Sequence, residues 1–308
     1  MKKLKLGTRG SNLALWQAFY VAELLKAKSN LEVEIVVIKT KGDKILDVAL
    51  SKIGDKGLFT KEIENQLLDY EIDIAVHSLK DLPSVITEGL TIGAVLNREN
   101  PNDVLIAKDG LTIDELPSGA KIGTSSLRRI AQLKAYRPDI ITVDIRGNIE
   151  TRIRKMQKEG LDGIILAYSG VKRLNLDHLI SEVIDNGVLL PAVGQGAIAI
   201  EIRKNDSQIE EVMALINDEE TYLTTKAERA FLRTLEGGCQ VPIAAYAYIR
   251  ENKLNISGLV ASLDGKVVYK SSLVGNENVA EQLGVDLAKE LIDLGALDIL
   301  HKIKGLGD

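Results

Sequence analysis

The sequence predicts an α/β protein with parallel sheets, followed by a smaller α+β domain built on a three-stranded antiparallel sheet. Three observations predict it. Short apolar runs of strand length end in turn residues and lead into apolar positions at helical spacing, the pattern of strands alternating with helices. After Asn217 the pattern changes, and a helix leads into three alternating runs joined by tight turns. The chain is 308 residues long, and single cores stop growing at about 250–300 residues, so more than one domain is expected.

Leu4 and Leu6 alternate into Gly7-Thr8-Arg9-Gly10-Ser11, and Asn12 to Lys28 reads as a helix with Ser11 as its N-cap. Val33 to Ile38 reads as a strand, Lys61 to Tyr70 as a helix capped by Thr60, and Ile74 to His77 as a short buried strand. Lys121-Ile122-Gly123 passes through Thr124-Ser125-Ser126 into a helix from Leu127 to Tyr136, which Pro138 closes. Ile140 to Ile145 is a strand, followed by Arg146-Gly147-Asn148 and a helix to Glu159 stopped by Gly160. Ile164 to Ala167 is a strand ending in Tyr168-Ser169-Gly170-Val171-Lys172-Arg173. Glu219 to Leu235 reads as a helix. Ala244–Arg250, Leu254–Val260 and Lys266–Ser272 then form a meander with turns at Glu251-Asn252 and Asp264-Gly265, covered by a helix from Val279 to Leu294. Asn97 to Asp103 and Pro191 to Gly196 are the expected crossings between the first two domains.

Composition narrows the function classes. Apolar residues make up 45% and aromatics 4%, so the cores are aliphatic, and the net charge of −5 gives no global attraction to nucleic acid or anionic membrane. The start, Met1 to Leu6, is charged without an apolar segment behind it, and no run of ~18 apolar residues exists. A cytoplasmic protein without a membrane partner is expected. His77, His178 and His301 are scattered and Cys239 is the single cysteine, which argues against a metal site or a disulfide. Gly194-x-Gly196-x-x-Ala199 imitates a dinucleotide fingerprint, but Ile198, Ile200 and Ile202 alternate after it, so a strand follows where a helix is required.

The chemistry-bearing residues are clustered. Of 13 arginines, Arg128, Arg129, Arg137, Arg146, Arg152, Arg154 and Arg173 fall in one stretch. Arginine's planar fork suits carboxylate and phosphate. Arg137 and Arg154 read as a solvated helix face. The other five lie at or near strand-to-helix junctions, where free N–H groups and the positive helix end favour an anion. Arg128 and Arg129 sit in a first helical turn, which disfavours positive side chains, so a bound anion is expected there. His77-Ser78-Leu79-Lys80-Asp81-Leu82-Pro83 follows a buried strand. Lys80 and Asp81 are either a plain surface ion pair or a cleft pair whose carboxylate balances a cation or moves a proton. His77 reads as a satisfied, half-buried residue. Cys239, after Gly237-Gly238, is either a small buried hydrophobe or a thiol used as a nucleophile or attachment point.

Six strings occur in one order: Gly7-Thr8-Arg9-Gly10-Ser11, Lys56-Gly57-Leu58-Phe59, His77 to Pro83, Gly123-Thr124-Ser125-Ser126-Leu127-Arg128-Arg129, Arg146-Gly147-Asn148, and Gly237-Gly238-Cys239-Gln240-Val241-Pro242. Together they closely resemble the porphobilinogen deaminase (hydroxymethylbilane synthase) family over nearly the whole chain. The resemblance implies three domains, the first two similar to periplasmic binding proteins with mixed, mainly parallel sheets and a cleft between them. Domain 1 would comprise 1–97 plus 197–217, domain 2 98–196, and the C-terminal, cofactor-carrying domain 218–308. It implies a transferase of porphyrin (heme) biosynthesis. Four porphobilinogen molecules condense head to tail into linear hydroxymethylbilane with release of ammonia, primed by a dipyrromethane held as a thioether on Cys239. The resemblance makes Asp81 the catalytic carboxylate. Lys80, Asp81, Thr124, Ser125, Ser126, Arg128, Arg129, Arg146 and Gly147 would hold the cofactor. Arg9, Ser11, Lys56, Phe59, Arg146, Arg152, Arg173 and Gln195 would bind substrate, with Lys56 and Phe59 on a mobile lid. It also implies a monomer, with transient hand-over of product to uroporphyrinogen-III synthase. A non-catalytic anion-binding module would explain the arginines but not the settings of Cys239 and Asp81. A nucleic-acid binder would need more aromatics and a basic surface.

Overall fold

The computed structural model describes residues 3–29, 31–44, 57–235 and 241–304. The chain divides into two compact units, Met1–Glu99 with Ala197–Tyr222, and Asn100–Gly196 with Leu223–Asp308. In the first unit β1 (Lys3–Thr8) leads to α1 (Asn12–Ser29) and β2 (Glu32–Val37), and α2 (Lys61–Leu68) leads to β3 (Ile74–Ser78) and β4 (Leu90–Val95). The second unit begins with β5 (Asp103–Ala107), β6 (Lys121–Gly123) and α3 (Leu127–Tyr136). It continues through β7 (Ile141–Val143), α4 (Ile149–Lys158), β8 (Gly163–Ala167), α5 (Tyr168–Arg173) and β9 (Glu182–Val183). The chain re-enters the first unit as β10 (Ile198–Arg203) and α6 (Ser207–Ala214). It then leaves through α7 (Glu219–Thr234) for β11 (Ile243–Arg250), β12 (Lys253–Ala261), β13 (Val268–Asn276), α8 (Ala280–Asp293) and α9 (Ala296–Lys304).

The two larger sheets are wired alike. The first runs β2-β1-β3-β10-β4 and the second β7-β6-β8-β5-β9. In each, the first three strands in that spatial order are parallel, and the strand that follows a crossing segment lies antiparallel beside the third: β10 against β3, and β5 against β8. Strands covered by helices on both faces read as continuous apolar runs, and β8 and β10 are buried along their whole length. Leu4, Leu6, Val21, Leu25, Ile74 and Ile200 form one core of the first sheet, with Ile63, Leu67, Ile72 and Ala75 in another.

The third sheet, β11-β12-β13, is antiparallel throughout. Its core gathers around Phe231, Ile256, Leu287 and Leu291. Its other face meets α3 and the return crossing through Ala131, Leu190, Ala244 and Leu259. The buried Glu228 carboxylate ties the same parts together, accepting from Gly194 N at 2.7 Å and Ala247 N at 2.8 Å.

Several boundaries move from the sequence reading. Thr60 precedes α2 but makes no side-chain cap; instead Gly57 O accepts from Thr60 N and Lys61 N, both at 3.0 Å. The expected strand Ile140–Ile145 contracts to β7 because Ile145 N turns away to the Ser125 hydroxyl at 3.2 Å. The third strand of the meander shifts to Val268–Asn276, where it pairs along the full length of β12. Residues 168–173, read as a strand-end loop, form α5. Strands β4, β5 and β9 and helices α6 and α9 were not anticipated.

Candidate active site

In the first unit, Arg9 and Asp81 follow the adjacent parallel strands β1 and β3 at their carboxyl ends, the edge where ligands of open α/β sheets bind. Asp81 ends a single 3-10 turn, Leu79–Asp81. Leu79 and Leu82 are buried on either side of Lys80-Asp81, and Leu79 N donates to Ala197 O at 3.0 Å. The two leucines anchor the turn to the core and leave the Asp81 carboxylate exposed, with Lys80 half-buried. Gln17 Nε2 donates to Ser78 Oγ at 2.9 Å and fixes the end of β3 against α1. His77 is buried, its Nε2 3.2 Å from a carboxylate oxygen of the fully buried Glu201. It is more deeply enclosed than the half-buried placement expected.

Ser11 starts α1, its hydroxyl accepting from Ala14 N at 3.3 Å. The Arg9 guanidinium lies over the Phe59 ring, 4.2 Å from its centroid. Gly42 lies against the same ring, where a Cβ would collide with it. Thus two residues expected to contact substrate, Arg9 and Phe59, contact each other. Lys56 lies outside the described residues, as does Cys239 with Gly237, Gly238 and Gln240.

In the second unit the β6–α3 and β7–α4 junctions are stitched together. Thr124 N donates to Val143 O at 2.9 Å, and the Ser125 hydroxyl donates to Ile145 O at 2.7 Å. Ser126 N donates to Thr124 Oγ1 at 3.3 Å. Thr124 and Ser125 therefore shape the cradle. Ser126 is the N-cap of α3 but makes no side-chain capping bond, so that helix end keeps donors for an anion. At α4, Asn148 is the N-cap, its Oδ1 accepting from Thr151 N at 2.8 Å. Gly147 adopts φ 113°, and a Cβ there would come within 2.6 Å of Thr151 Cγ2. Gly147 O accepts from Arg152 Nε at 2.8 Å, and Arg146 Nε lies 3.5 Å from the exposed Asp144 carboxylate. Arg173, at the end of α5, donates to Gly196 O at 2.7 Å.

Arg128 and Arg129 occupy the first turn of α3, as read, and both are buried. Sequence reasoning missed the anion that meets them. Asp103, fully buried at the start of β5, accepts from Arg129 Nη2 at 2.7 Å and forms an ion pair with Arg128 Nη1, also at 2.7 Å. Gln195 Nε2 reaches the same carboxylate at 2.8 Å. Burial by itself would raise the Asp103 carboxyl; the two guanidiniums overcome it and hold it well below the usual carboxylate range. Arg137, expected on a solvated face, instead donates to Ile113 O at 2.7 Å and Leu116 O at 3.1 Å while pairing with Asp139. Arg154 is exposed, and its Nη2 donates to Thr151 Oγ1 at 3.2 Å.

Among the described residues there is no group of three or more His, Cys, Asp or Glu placed to hold a metal ion, and no helix long and apolar enough to cross a membrane.

Comparison with known proteins adds the following. The family model described as "Porphobilinogen deaminase, dipyromethane cofactor binding domain" matches residues 4–211, and the one described as "Porphobilinogen deaminase, C-terminal domain" matches residues 222–293. A porphobilinogen deaminase of Syntrophomonas wolfei is 57% identical over 97% of this chain and 98% of its own. One of Carboxydothermus hydrogenoformans is 55% identical over 98% of each. Among solved structures, the periplasmic VFT2 domain of Bordetella pertussis BvgS is 15% identical, covers 70% of this chain and 86% of its own, and has a TM-score of 0.43.

Proposed function

The chain belongs to the porphobilinogen deaminase family, and on that premise we propose which of its residues run the reaction. It is a transferase of tetrapyrrole biosynthesis that condenses porphobilinogen into linear hydroxymethylbilane, with a dipyrromethane cofactor. When bound, the cofactor supplies the free pyrrole carbon to which substrate is joined.

The donor set fits such a group. A dipyrromethane carries acetate and propionate side chains, and the second unit offers arginines with an α3 N-terminus that no side chain caps. Arg128, Arg129 and Arg146, with Lys80, Asp81, Thr124, Ser125, Ser126 and Gly147, are our assignment for holding it, and the Cys239 thiol is our assignment for its tether. Arg9, Ser11, Arg152, Arg173, Gln195, Lys56 and Phe59 are assigned to incoming substrate.

Asp81 carries the chemistry in this reading. Loss of ammonia from the aminomethyl group leaves a positive charge spread over the substrate pyrrole. An exposed carboxylate on a rigid turn accepts from the protonated amine before ammonia leaves, balances the charge that remains and takes up the proton released when aromaticity returns. The observation behind the assignment is the Leu79–Leu82 anchor, which holds Asp81 outward at the carboxyl end of β3. We also assign the enzyme to the cytoplasm as a monomer that binds neither membrane nor nucleic acid and passes its product to uroporphyrinogen-III synthase.

The test is the intact mass of the denatured protein, as purified, beside Cys239→Ser. An excess equal to two condensed pyrrole units in the wild type alone supports the reading. An unmodified wild type whose mass still fails to grow with porphobilinogen overturns it in favour of an anion-binding module.

A further inference from the structure

The fully buried Asp103 carboxylate meets both arginines of the first turn of α3. Three donors converge on its Oδ1, Arg129 Nη2, Arg129 Nε at 3.1 Å and Gln195 Nε2, and Arg128 Nη1 forms an ion pair with its Oδ2. The same side chains also donate to backbone carbonyls. Arg128 Nη1 reaches Leu190 O at 2.7 Å, Arg129 Nη1 reaches Ile165 O at 2.8 Å, and Gln195 Nε2 reaches Pro101 O at 2.6 Å. Each guanidinium thus spends part of its fork on a fixed frame, which sets the direction of the remaining N–H groups. The charge count matters equally. Two cations in a first helical turn oppose each other and the helix dipole, and one buried anion reduces them to a single net positive charge.

We propose that Asp103 is a positioning residue for the reaction: it sets the orientation and net charge of Arg128 and Arg129 toward the carboxylates of the pyrrole chain, without touching them itself. The proposal rests on the functional reading above and adds a residue to it. Gln195 extends the frame, because it lies on the return crossing and ties that segment to the same carboxylate.

The test compares wild type, Asp103→Asn and Asp103→Glu, each as purified and each below its own melting temperature. Asn keeps the shape and removes the charge; Glu keeps the charge and moves it by one methylene. Intact mass reads the fraction of chains carrying the two-pyrrole increment, and steady-state kinetics on that fraction separates KM from kcat. Asp103→Asn is expected to lower the loaded fraction and raise KM about tenfold or more, as misplaced binding groups do, with kcat changed far less. Asp103→Glu is expected to fold and to show a smaller rise in KM. Wild-type loading and KM in a folded variant of either kind would reduce Asp103 to a structural role and overturn the proposal alone. If Asp103→Asn does not fold, Asp103→Glu decides by the same criterion. A wild type without the increment, even after incubation with porphobilinogen, overturns the functional reading and the proposal with it.

Discussion

The guanidinium of Arg9 rests on the ring of Phe59, 4.2 Å from its centroid. Such a contact contributes about 0.5–2 kcal/mol, depending on how dry it is, enough to fix a long side chain that would otherwise sample many rotamers. Phe59→Leu should therefore raise KM for porphobilinogen several-fold while leaving the melting temperature nearly unchanged. Gly42→Ala should do the same without altering either partner, because the added Cβ collides with the ring. Unchanged KM in both would separate Arg9 from substrate binding.

Asp81→Asn should leave the fold intact, since the side chain is exposed and the turn is held by Leu79 and Leu82. Turnover, read as ammonia release, should fall by about two orders of magnitude or more, the usual size of a lost general acid–base group. Turnover within a few-fold of wild type would remove Asp81 from the mechanism.

Asp103 makes stability depend on pH in a defined direction. Its carboxyl lies below the ordinary carboxylate range in the folded protein and near 3.9 when unfolded. The pair therefore stabilises fully above about pH 4–5, and that contribution is lost as acid protonates the folded carboxylate. Asp103→Asn should be less stable at neutral pH by about 3–5 kcal/mol, as expected for a broken buried ion pair. Its stability should also fall less steeply than wild type below pH 4. Urea titrations at a series of pH values would read both, and parallel acid limbs would contradict the account.

Gly265 turns between β12 and β13 with φ 73°, and a Cβ there would collide with the backbone of Ala135 and come within 2.8 Å of Ala131 O. Gly265→Ala should cost about 1–3 kcal/mol through strain and overpacking together. Because the collision is with α3, the loss should show as faster amide exchange along α3 as well as in the hairpin. A thermal melt and exchange pattern equal to wild type would refute it.

What the sequence disclosed follows from range. Helix α3 was legible at both ends, Leu127 and Tyr136, because its stop and start signals are local: Ser126 before it and Pro138 just beyond. Asp103 was not, because its arginine partners lie 25 and 26 residues away and its glutamine partner 92 away, and carboxylate–guanidinium pairing leaves no periodic trace. The misplaced charges of Arg128 and Arg129 did announce an anion; the structure shows one supplied by the chain itself. Strand β4 escaped because Thr91 and Gly93 dilute its apolar run, and the start of β5 was absorbed into an expected crossing. Thr60 shows the converse case, a residue of capping type whose helix begins on the carbonyl of Gly57 instead.

The lending of β10 has a consequence for biosynthesis. All strands of the second large sheet lie between residues 103 and 183, whereas the first sheet needs β10, beginning at Ile198, to join β3 to β4. A chain emerging from the ribosome can close the second sheet while the first still has two unpaired edges. The usual N-terminal-first order of folding during synthesis is thus reversed, and the first ~100 residues wait as an incomplete sheet, open to edge pairing with other chains, until the return crossing is made.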